Sequence, residues 1–297
     1  MNLIKKRNWF FALSLLIIIP GIVAFFIWGL KLGIDFAGGT LWEIKFAEKE
    51  KIERGQIQQF FNQEQVEVSS VALTSQNSAL VRMKVSDEAK INDLKSKLSS
   101  SFGKTQDIRL DTVGPVISKE LAQKAFIAVA ISILAIVLYI TWAFRQVPKP
   151  ASSISFGVCT IIALVHDIIV VVGIFAILGH FFAIEVDSLF ITALLTVIGF
   201  SVHDTIVVFD RIRENLKKYD FSFEEVVNHS LLQTMGRSLS TSLTVIFVLL
   251  ALFLFGGASI KTFVLVLLIG ITSGTYSSIF NASPLLVVWQ NFKKKNK

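Results

Sequence analysis

Three ionisable residues of this 297-residue chain stand inside long apolar runs, where charged side chains are rare and costly. They are Asp167, Asp204 and Arg237. Asp204 lies near one end of its run and Arg237 at the start of the next, so two antiparallel helices would place them at similar depth. A carboxylate that alternately pairs with an arginine and takes up a proton is a workable proton relay. A static ion pair, or an arginine that extends to the membrane surface, is the alternative interpretation.

The segment around Asp167 nearly repeats around Asp204. Residues 165–171 are VHDIIVV, and residues 202–208 are VHDTIVV. Internal repeats are common in transporters, although both segments draw on a small apolar alphabet. Two interpretations of Asp167 remain open: a further proton-relay candidate, or a helix-packing carboxylate that hydroxyl groups of neighbouring helices satisfy.

Four neutral or near-neutral polar residues near the aspartates and the arginine are predicted to support them. They are His166, His203, Thr241 and Ser242. Adjacent residues on a helix point about 100° apart, so each histidine is expected to face a different neighbour from the aspartate beside it. No spacing brings three metal ligands together, and Cys159 is the single cysteine, so no metal site and no disulfide are predicted.

A glycine-rich segment, GIDFAGGT, follows the first apolar run. Its candidate functional residues are Gly33, Asp35, Gly38 and Gly39, because glycine permits positive φ and close backbone approach. A turn capped by Asp35 is the structural alternative. The segment lacks the strand-to-helix context and the Lys-Ser/Thr pair of nucleotide-binding loops. The sequence therefore predicts no nucleotide site and no cofactor.

The distribution of apolar residues predicts a membrane protein. Apolar residues make up 53% of the chain and charged residues 17%, whereas soluble domains have about 25% charged residues. Runs of about 20 residues without Asp, Glu, Lys or Arg match the hydrocarbon core of a bilayer. This pattern excludes a soluble protein, and also a nucleic-acid binder inferred from the net charge of +7. The six predicted transmembrane helices cover 9–30, 123–144, 152–178, 187–209, 233–256 and 262–289.

Lysine and arginine in the short loops predict the orientation. Fourteen of them fall on one side, which includes both termini and a loop over 210–232, whereas the opposite short loops hold only Lys261. Both termini are therefore predicted to be cytoplasmic, with a basic C-terminal tail. The predicted organisation is a tail and first helix at 1–30, an extracytoplasmic domain at 31–122, and a bundle of five helices at 123–297.

The polar region at 31–122 predicts a small α+β domain. Extended runs and helices alternate in the order β-α-β-β-α-β, which is the ferredoxin-like motif. Ile91, Leu94 and Leu98 recur on one face of the second helix. Gln-Asn-Ser at 76–78 is the predicted hairpin turn. The predicted elements are Leu41–Phe46, Ile52–Gln63, Val66–Ser75, Ala79–Val85, Asp87–Phe102 and Asp107–Val113.

These motifs together resemble the SecF branch of the SecD/SecF family of bacterial protein-export membrane proteins, in the RND superfamily. The six predicted helices and the large domain after the first helix agree with this resemblance. The fold that it implies is one half of an RND-type transporter. The matching segments are GIDFAGGT at 33–40, VGP at 113–115, ALVHD at 163–167, IGFSVHDTIVVFDRIREN at 198–215, and Arg237–Ser242 with LALFLFGG at 250–257.

The resemblance implies a non-enzymatic subunit of the protein-export machinery in the bacterial inner membrane. Its implied partners are SecD, the SecYEG channel, SecA as a further candidate, translocating unfolded preproteins and membrane lipids, with no nucleic acid. Asp204 and Arg237 correspond to the family's membrane aspartate and arginine, and His203 stands where asparagine is commoner. Proton flow would then drive motion of the outer domain, although the coupling ion, H⁺ or Na⁺, stays open. The alternative function is one half of an RND-type exporter of small molecules or lipids.

The uneven distribution of positive charge generates a test of orientation. Single cysteines introduced within 45–110 are expected to react with a membrane-impermeant thiol reagent added to intact cells. Cysteines near 217 or 295 are expected to react only after the membrane is opened, and the unaltered chain with Cys159 gives the background. Protection of the 45–110 region in intact cells would contradict the predicted orientation.

Overall fold

The computed structural model describes residues 2–47, 52–74, 77–85 and 87–295. The chain separates into two compact units. The helical unit comprises Met1–Lys31 with Ile127–Lys297, and the sheet unit comprises Leu32–Phe126. In chain order the elements are α1 (Arg7–Trp28), α2 (Ile34–Ala37), β1 (Gly39–Phe46), α3 (Arg54–Gln63), β2 (Val68–Thr74), β3 (Ser78–Met83), α4 (Glu88–Phe102), β4 (Thr105–Val113), α5 (Pro115–Ala143), α6 (Ser153–Phe182), α7 (Ser188–Lys218), α8 (Phe223–Phe255), α9 (Lys261–Ser277), a π-helical turn (Ser278–Ala282) and α10 (Ser283–Lys295).

The sheet unit has the predicted ferredoxin-like arrangement. Its strands lie in the order β2-β3-β1-β4, and every neighbouring pair is antiparallel. Helix α3 connects β1 to β2, and α4 connects β3 to β4, which gives the β-α-β-β-α-β order. The prediction of a small α+β domain after the first helix is confirmed.

One face of this sheet forms a core with α3 and α4. Trp42 and Ile44 of β1 are fully buried, as is Phe61 of α3. Asp87 caps the start of α4 by accepting a hydrogen bond from the backbone N–H of Ala89 at 3.2 Å. The predicted apolar face of α4 lies in the core, and its buried residues are Ile91, Leu94, Leu98 and Phe102.

The glycine-rich segment begins the sheet. Gly38 and Gly39 have φ values of 74° and 117°, a region that side chains with a Cβ atom rarely adopt. A Cβ atom on Gly39 would also collide with the carbonyl group of Met83 on the neighbouring strand. Gly33 precedes the short helix α2, and Asp35 lies in that helix. Gly38 and Gly39 thus allow the chain to turn from α2 into β1.

The predicted hairpin turn falls between β2 and β3. Gln76 of this turn lies outside the described residues. Asn77 has a φ of 57°, the left-handed region that asparagine tolerates better than most residues, and Ser78 begins β3.

Six helices within the described ranges are long and apolar enough to cross a membrane, in agreement with the prediction. The last of them consists of α9, the π-helical turn and most of α10. Their bounds are Ile4–Trp28, Pro115–Ala143, Ser153–Phe182, Ser188–Lys218, Phe223–Phe255 and Lys261–Lys293.

Several predicted helix boundaries are wrong. Helix α5 begins at Pro115 rather than at 123, because proline is well suited to the first helical position, where its missing N–H is not needed. Helix α8 begins at Phe223 rather than at 233, and α7 continues to Lys218 rather than ending at 209, so the connection at 210–232 is mostly helical. A capping box starts α8: Ser222 and Glu225 exchange hydrogen bonds between side chain and backbone.

Glycines allow close packing in the helical unit. A Cβ atom on Gly173 of α6 would lie 2.5 Å from the Cα atom of Gly21 on α1. A Cβ atom on Gly274 of α9 would lie 2.9 Å from the Cβ atom of Ser201 on α7. Small residues bring membrane helices together in this way. The close contact between α7 and α9 lets short serine side chains of both helices reach a shared site.

The contact between α1 and α6 generates a stability test. Gly173→Ala is expected to destabilise the chain by about 1–3 kcal/mol, because the added methyl group pushes the two backbones apart. Gly199→Ala is the matched control, since no described atom beyond its chain neighbours and its own helix backbone lies within 4 Å of the added Cβ. Thermal unfolding in detergent measures both. Equal midpoints for the two variants would contradict the close backbone contact.

Candidate functional site

Asp167 of α6 is buried among hydroxyl groups from two other helices, with 1% of the residue exposed. Its Oδ2 atom accepts hydrogen bonds from the Ser201 hydroxyl at 2.6 Å and the Ser277 hydroxyl at 2.7 Å. Its Oδ1 atom accepts one from the Ser273 hydroxyl at 2.8 Å and lies 3.0 Å from Nδ1 of His166. The carboxylate therefore connects α6 to α7 and α9.

These four contacts fill the acceptor capacity of Asp167. An ionised carboxylate offers about four lone-pair positions, two on each oxygen. Because each oxygen of Asp167 already has two polar partners, an added proton would displace one of them. Of the two interpretations left open by the sequence, the geometry favours a helix-packing carboxylate satisfied by neighbouring hydroxyls.

Asp204 of α7 is equally buried, at 2% exposed, but has fewer partners. Its Oδ2 atom lies 3.2 Å from the Ser242 hydroxyl of α8 and 3.3 Å from the Thr275 hydroxyl of α9. The Thr275 hydroxyl also donates to Ser242 at 2.7 Å, so its single proton is shared between two acceptors. Oδ1 accepts no hydrogen bond from any described residue. Asp204 therefore has room for a proton that Asp167 lacks.

Helix α9 separates the two carboxylates and contacts both. Ser273 and Ser277 are four residues apart, so they lie on one face of α9 and reach Asp167. Thr275 falls midway between them in sequence, on the opposite face, and reaches Asp204. A change in the charge of Asp204 therefore acts directly on α9, whose serine hydroxyls bind Asp167.

The structure does not form the predicted pair between Asp204 and Arg237. Arg237 precedes Ser242 by five residues, which is about 7.5 Å along α8 and roughly 140° around it. Side chains also lean toward the N-terminus of their helix, which directs Arg237 away from the level of Asp204. Arg237 instead lines a crevice of about 430 Å³ together with Asp210 and Gln233.

The predicted supporting residues divide into two groups. Ser242 contacts Asp204, and His166 contacts Asp167. His203 is exposed on the surface of the helical unit. Thr241 is also exposed, and its hydroxyl donates to the backbone carbonyl groups of Arg237 and Ser238 at 3.0 Å.

Sequence reasoning missed the hydroxyl groups that build both sites. Ser201 lies three residues before Asp204, and the others fall in TSGTYSS at 272–278, a dense cluster of hydroxyl residues inside an apolar helix. A cluster of hydroxyl residues at the predicted depth of two carboxylates could have indicated that these residues bind them. The missed residues are Ser201, Ser273, Thr275 and Ser277.

Exposed polar residues mark one side of α7 and of α8. Thr192, Thr196 and His203 recur at helical spacing along α7, and no atom lies within 4 Å of a Cβ placed on Gly199 between them. Polar groups that face lipid are costly, so such a surface favours contact with another helix. The exposed polar residues of α8 near this level are Arg237, Ser240, Thr241 and Thr244.

The helical unit contains no further cluster of metal-ligating side chains in the part of the chain that the structure describes. Within the described ranges, no three His, Cys, Asp or Glu side chains converge. Cys159 is a buried free thiol.

Comparisons with known proteins agree with this architecture. Residues 93–292 match the family described as protein export membrane protein SecD/SecF, C-terminal, and residues 23–50 match the SecD/SecF GG motif. The chain is 50% identical to the protein translocase subunit SecF of Thermobaculum terrenum, over 98% of this chain and 94% of that protein. It is 45% identical to SecF of Anaerolinea thermophila, over 100% of this chain and 96% of that protein.

A solved structure gives the same result at the level of the fold. The crystal structure of SecDF, a translocon-associated membrane protein from Thermus thermophilus, superposes with a TM-score of 0.85 and 33% identity. The match covers 98% of this chain and 39% of that longer chain. The chain is a multi-pass membrane protein and belongs to the SecD/SecF family of protein export membrane proteins. The family resemblance noted in the sequence is confirmed.

The contrast between the two carboxylates generates a stability test. Asp167→Asn replaces an acceptor oxygen by an NH₂ group that faces bound donors, so we expect a loss of at least about 2 kcal/mol. Asp204→Asn keeps an oxygen for Ser242 and is expected to cost less than about 1 kcal/mol. Thermal unfolding in detergent measures both variants. A larger loss of stability for Asp204→Asn than for Asp167→Asn would contradict the difference in the number of hydrogen bonds that the two carboxylates accept.

Proposed function

We propose that this chain is a SecF-type subunit of the bacterial protein translocase. With SecD, it uses the proton gradient to drive late steps of preprotein export across the cytoplasmic membrane. The observation that carries this proposal is the open Oδ1 atom of Asp204 in a buried site shared by α7, α8 and α9. A group that moves protons needs both a charged and a neutral state, and Asp204 has an unfilled position for the proton.

Protonation of Asp204 changes its hydrogen bonding with α8 and α9. When Asp204 is ionised, Oδ2 accepts from Ser242 and Thr275. The neutral carboxyl group loses the charge that strengthens these bonds and gains an O–H donor of its own. Since the three partners stand on three helices, the proton alters how α8 and α9 pack against α7. Transfer of one charge through 100 mV supplies about 2.3 kcal/mol, enough to shift a two-state equilibrium substantially.

Arg237 serves the relay from the crevice that it lines with Asp210 and Gln233. No ion pair joins Arg237 to an acidic group within the described ranges, so its guanidinium group is available to a partner in another state of the cycle. Rotation of its long side chain toward Ser242 is the movement that would place it near Asp204. The alternation between these two positions is the proposed relay.

The exposed polar side of α7 and α8 is the proposed surface for SecD. His203 and Arg237 on this side need polar or closely packed neighbours inside a membrane, which a second transporter half supplies. The SecYEG channel, SecA and the translocating preprotein are further proposed partners, and membrane lipids cover the remaining apolar surface.

In the proposed orientation both termini are cytoplasmic, and the sheet unit lies outside the inner membrane. The chain itself carries out no covalent chemistry in this scheme.

Substitutions at Asp204 test the proposal. Asp204→Asn nearly preserves side-chain volume, so membrane insertion and SecD binding should be retained. It should abolish the dependence of late-stage export on the proton gradient, measured in inverted vesicles or in cells. Asp220→Asn, an exposed acidic residue after α7, is the matched control. A full response to the gradient in the Asp204→Asn chain would exclude Asp204 as the relay.

Substitutions at Arg237 test the second half of the relay. Arg237→Lys keeps the positive charge but loses the planar guanidinium fork, so partial loss of gradient-dependent export is expected. Arg237→Met removes the charge and should lower it further. The same export assay measures both variants, with SecD co-purification as the check on assembly. Normal export in Arg237→Met would contradict a role for this residue in the cycle.

A further inference from the structure

The cluster around Asp167 has a charge that its hydrogen bonds do not neutralise. Three serine hydroxyls and a neutral imidazole stabilise the carboxylate, but all four donors are themselves uncharged. With Asp167 ionised and His166 neutral, the cluster carries a net charge of −1 in an apolar helical bundle. Burial of an uncompensated charge is strongly unfavourable, so uptake of one proton by this cluster would be favourable.

The carboxylate cannot take that proton without losing a partner. Both oxygens of Asp167 already have two contacts each. The remaining acceptor in the cluster is Nε2 of His166, which is buried and has no hydrogen-bond partner among the described residues. The His166 side chain is 10% exposed, and its Nδ1 atom is directed at Asp167. An imidazole whose Nδ1–H donates to a carboxylate carries its lone pair on Nε2.

We propose that Nε2 of His166 is a second proton-binding position in this chain, distinct from Asp204. A proton delivered by water bonds to the Nε2 lone pair and converts the imidazole to imidazolium, and no other bond breaks. Asp167 stays ionised, orients the ring through Nδ1–H, and balances the new positive charge at 3.0 Å. Asp167 is thus a positioning residue, and His166 carries the proton.

The elements packed against His166 offer few competing titratable groups. Tyr276 of α9 stacks near the ring, with centroids 6.5 Å apart, and its hydroxyl donates to the backbone carbonyl of Phe10. Helix α7 carries two ionisable groups near this level: His203, which is exposed, and Asp204, which bonds to α8 and α9. Helix α1 has one charged residue, Arg7 in its first turn, and the π-helical turn and the part of α10 within the bundle present neutral side chains.

This inference deepens the proposed function, because the two proton sites share α9. Ser273 and Ser277 belong to the Asp167 cluster, and Thr275 belongs to the Asp204 site. A proton on His166 removes the net charge on one face of α9, and a proton on Asp204 removes the charge on the other. The cycle would then involve two protonation events on opposite faces of one helix.

Nitrogen NMR of ¹⁵N-histidine in the full chain tests this directly. A chain with His180, His203 and His229 all replaced by glutamine keeps His166 as its single histidine. In phosphatidylcholine bilayers at about pH 9, the spectrum is expected to show the neutral tautomer with the proton on Nδ1. On acidification to about pH 5, both nitrogens are expected to become protonated. If the triple variant fails to fold, the spectrum of the native chain, minus that of His166→Gln, gives the same information.

Two results would overturn the proposal: a neutral tautomer with the proton on Nε2, or a ring that stays neutral throughout the pH range. Asp167→Asn is the companion variant, and it should abolish the preference for Nδ1 protonation. Asp204→Asn should leave the His166 titration in place. If His166 does not titrate while Asp204→Asn still abolishes gradient-dependent export, this inference fails and the proposed function stands. If His166 titrates while Asp204→Asn exports normally, the proposed function fails and the second site stands.

Discussion

The cost of placing carboxylate oxygens among apolar helices governs the arrangement of this protein. Two aspartates, Asp167 and Asp204, lie almost fully buried in the helical unit, and each obtains its hydrogen bonds from other helices. Because lipid supplies no donors, the hydroxyl groups must come from the protein. The positions of Ser201, Ser242 and the hydroxyl cluster of α9 follow from that requirement. Asp167 and Asp204 differ in how many hydrogen bonds they accept, and the roles proposed for the two carboxylates follow from that difference.

Helix α9 supplies hydroxyl groups to both carboxylates. Its close packing on α7 depends on Gly270, which faces Val197, and on Gly274, which faces Ser201. A bulkier helix would hold the serine hydroxyls too far from Asp167 to bond. The π-helical turn that follows α9 begins one residue after Ser277, and such turns are frequent at functional sites. Its Ser278 hydroxyl bonds the backbone carbonyl of Ser201, which ties the turn to α7 as well.

The sequence predicted those parts of the fold that depend on residues close together in the chain. Apolar length located the six helices, and alternation with turn residues located the ferredoxin-like domain. The predicted start of α8 at 233 was wrong because the helix begins at Phe223, well before its apolar core, a boundary that hydropathy does not mark. The capping pattern of Ser222 and Glu225 was present in the sequence and would have placed the start of α8.

The candidate site was only partly predictable for a different reason. Asp167 and Asp204 were evident because charge inside an apolar run needs an explanation, but their partners are set by tertiary contacts. Equal depth suggested that Arg237 pairs with Asp204, whereas the rotation of α8 presents Ser242 instead. The number of donors on each carboxylate, which distinguishes the two aspartates, depends on three helices at once. No local pattern contains that information.

The central proposal is that, of the two buried aspartates, Asp204 is the one that binds the proton. Infrared difference spectroscopy on membranes containing the chain, with ¹³C-labelled aspartate, reports protonated carboxyl groups through their C=O stretching band. Acidification should produce one such band from the buried aspartates, and that band should be missing from the Asp204→Asn chain. Persistence of the buried carboxyl band in the Asp204→Asn chain would contradict the account, because the proton would then reside on Asp167.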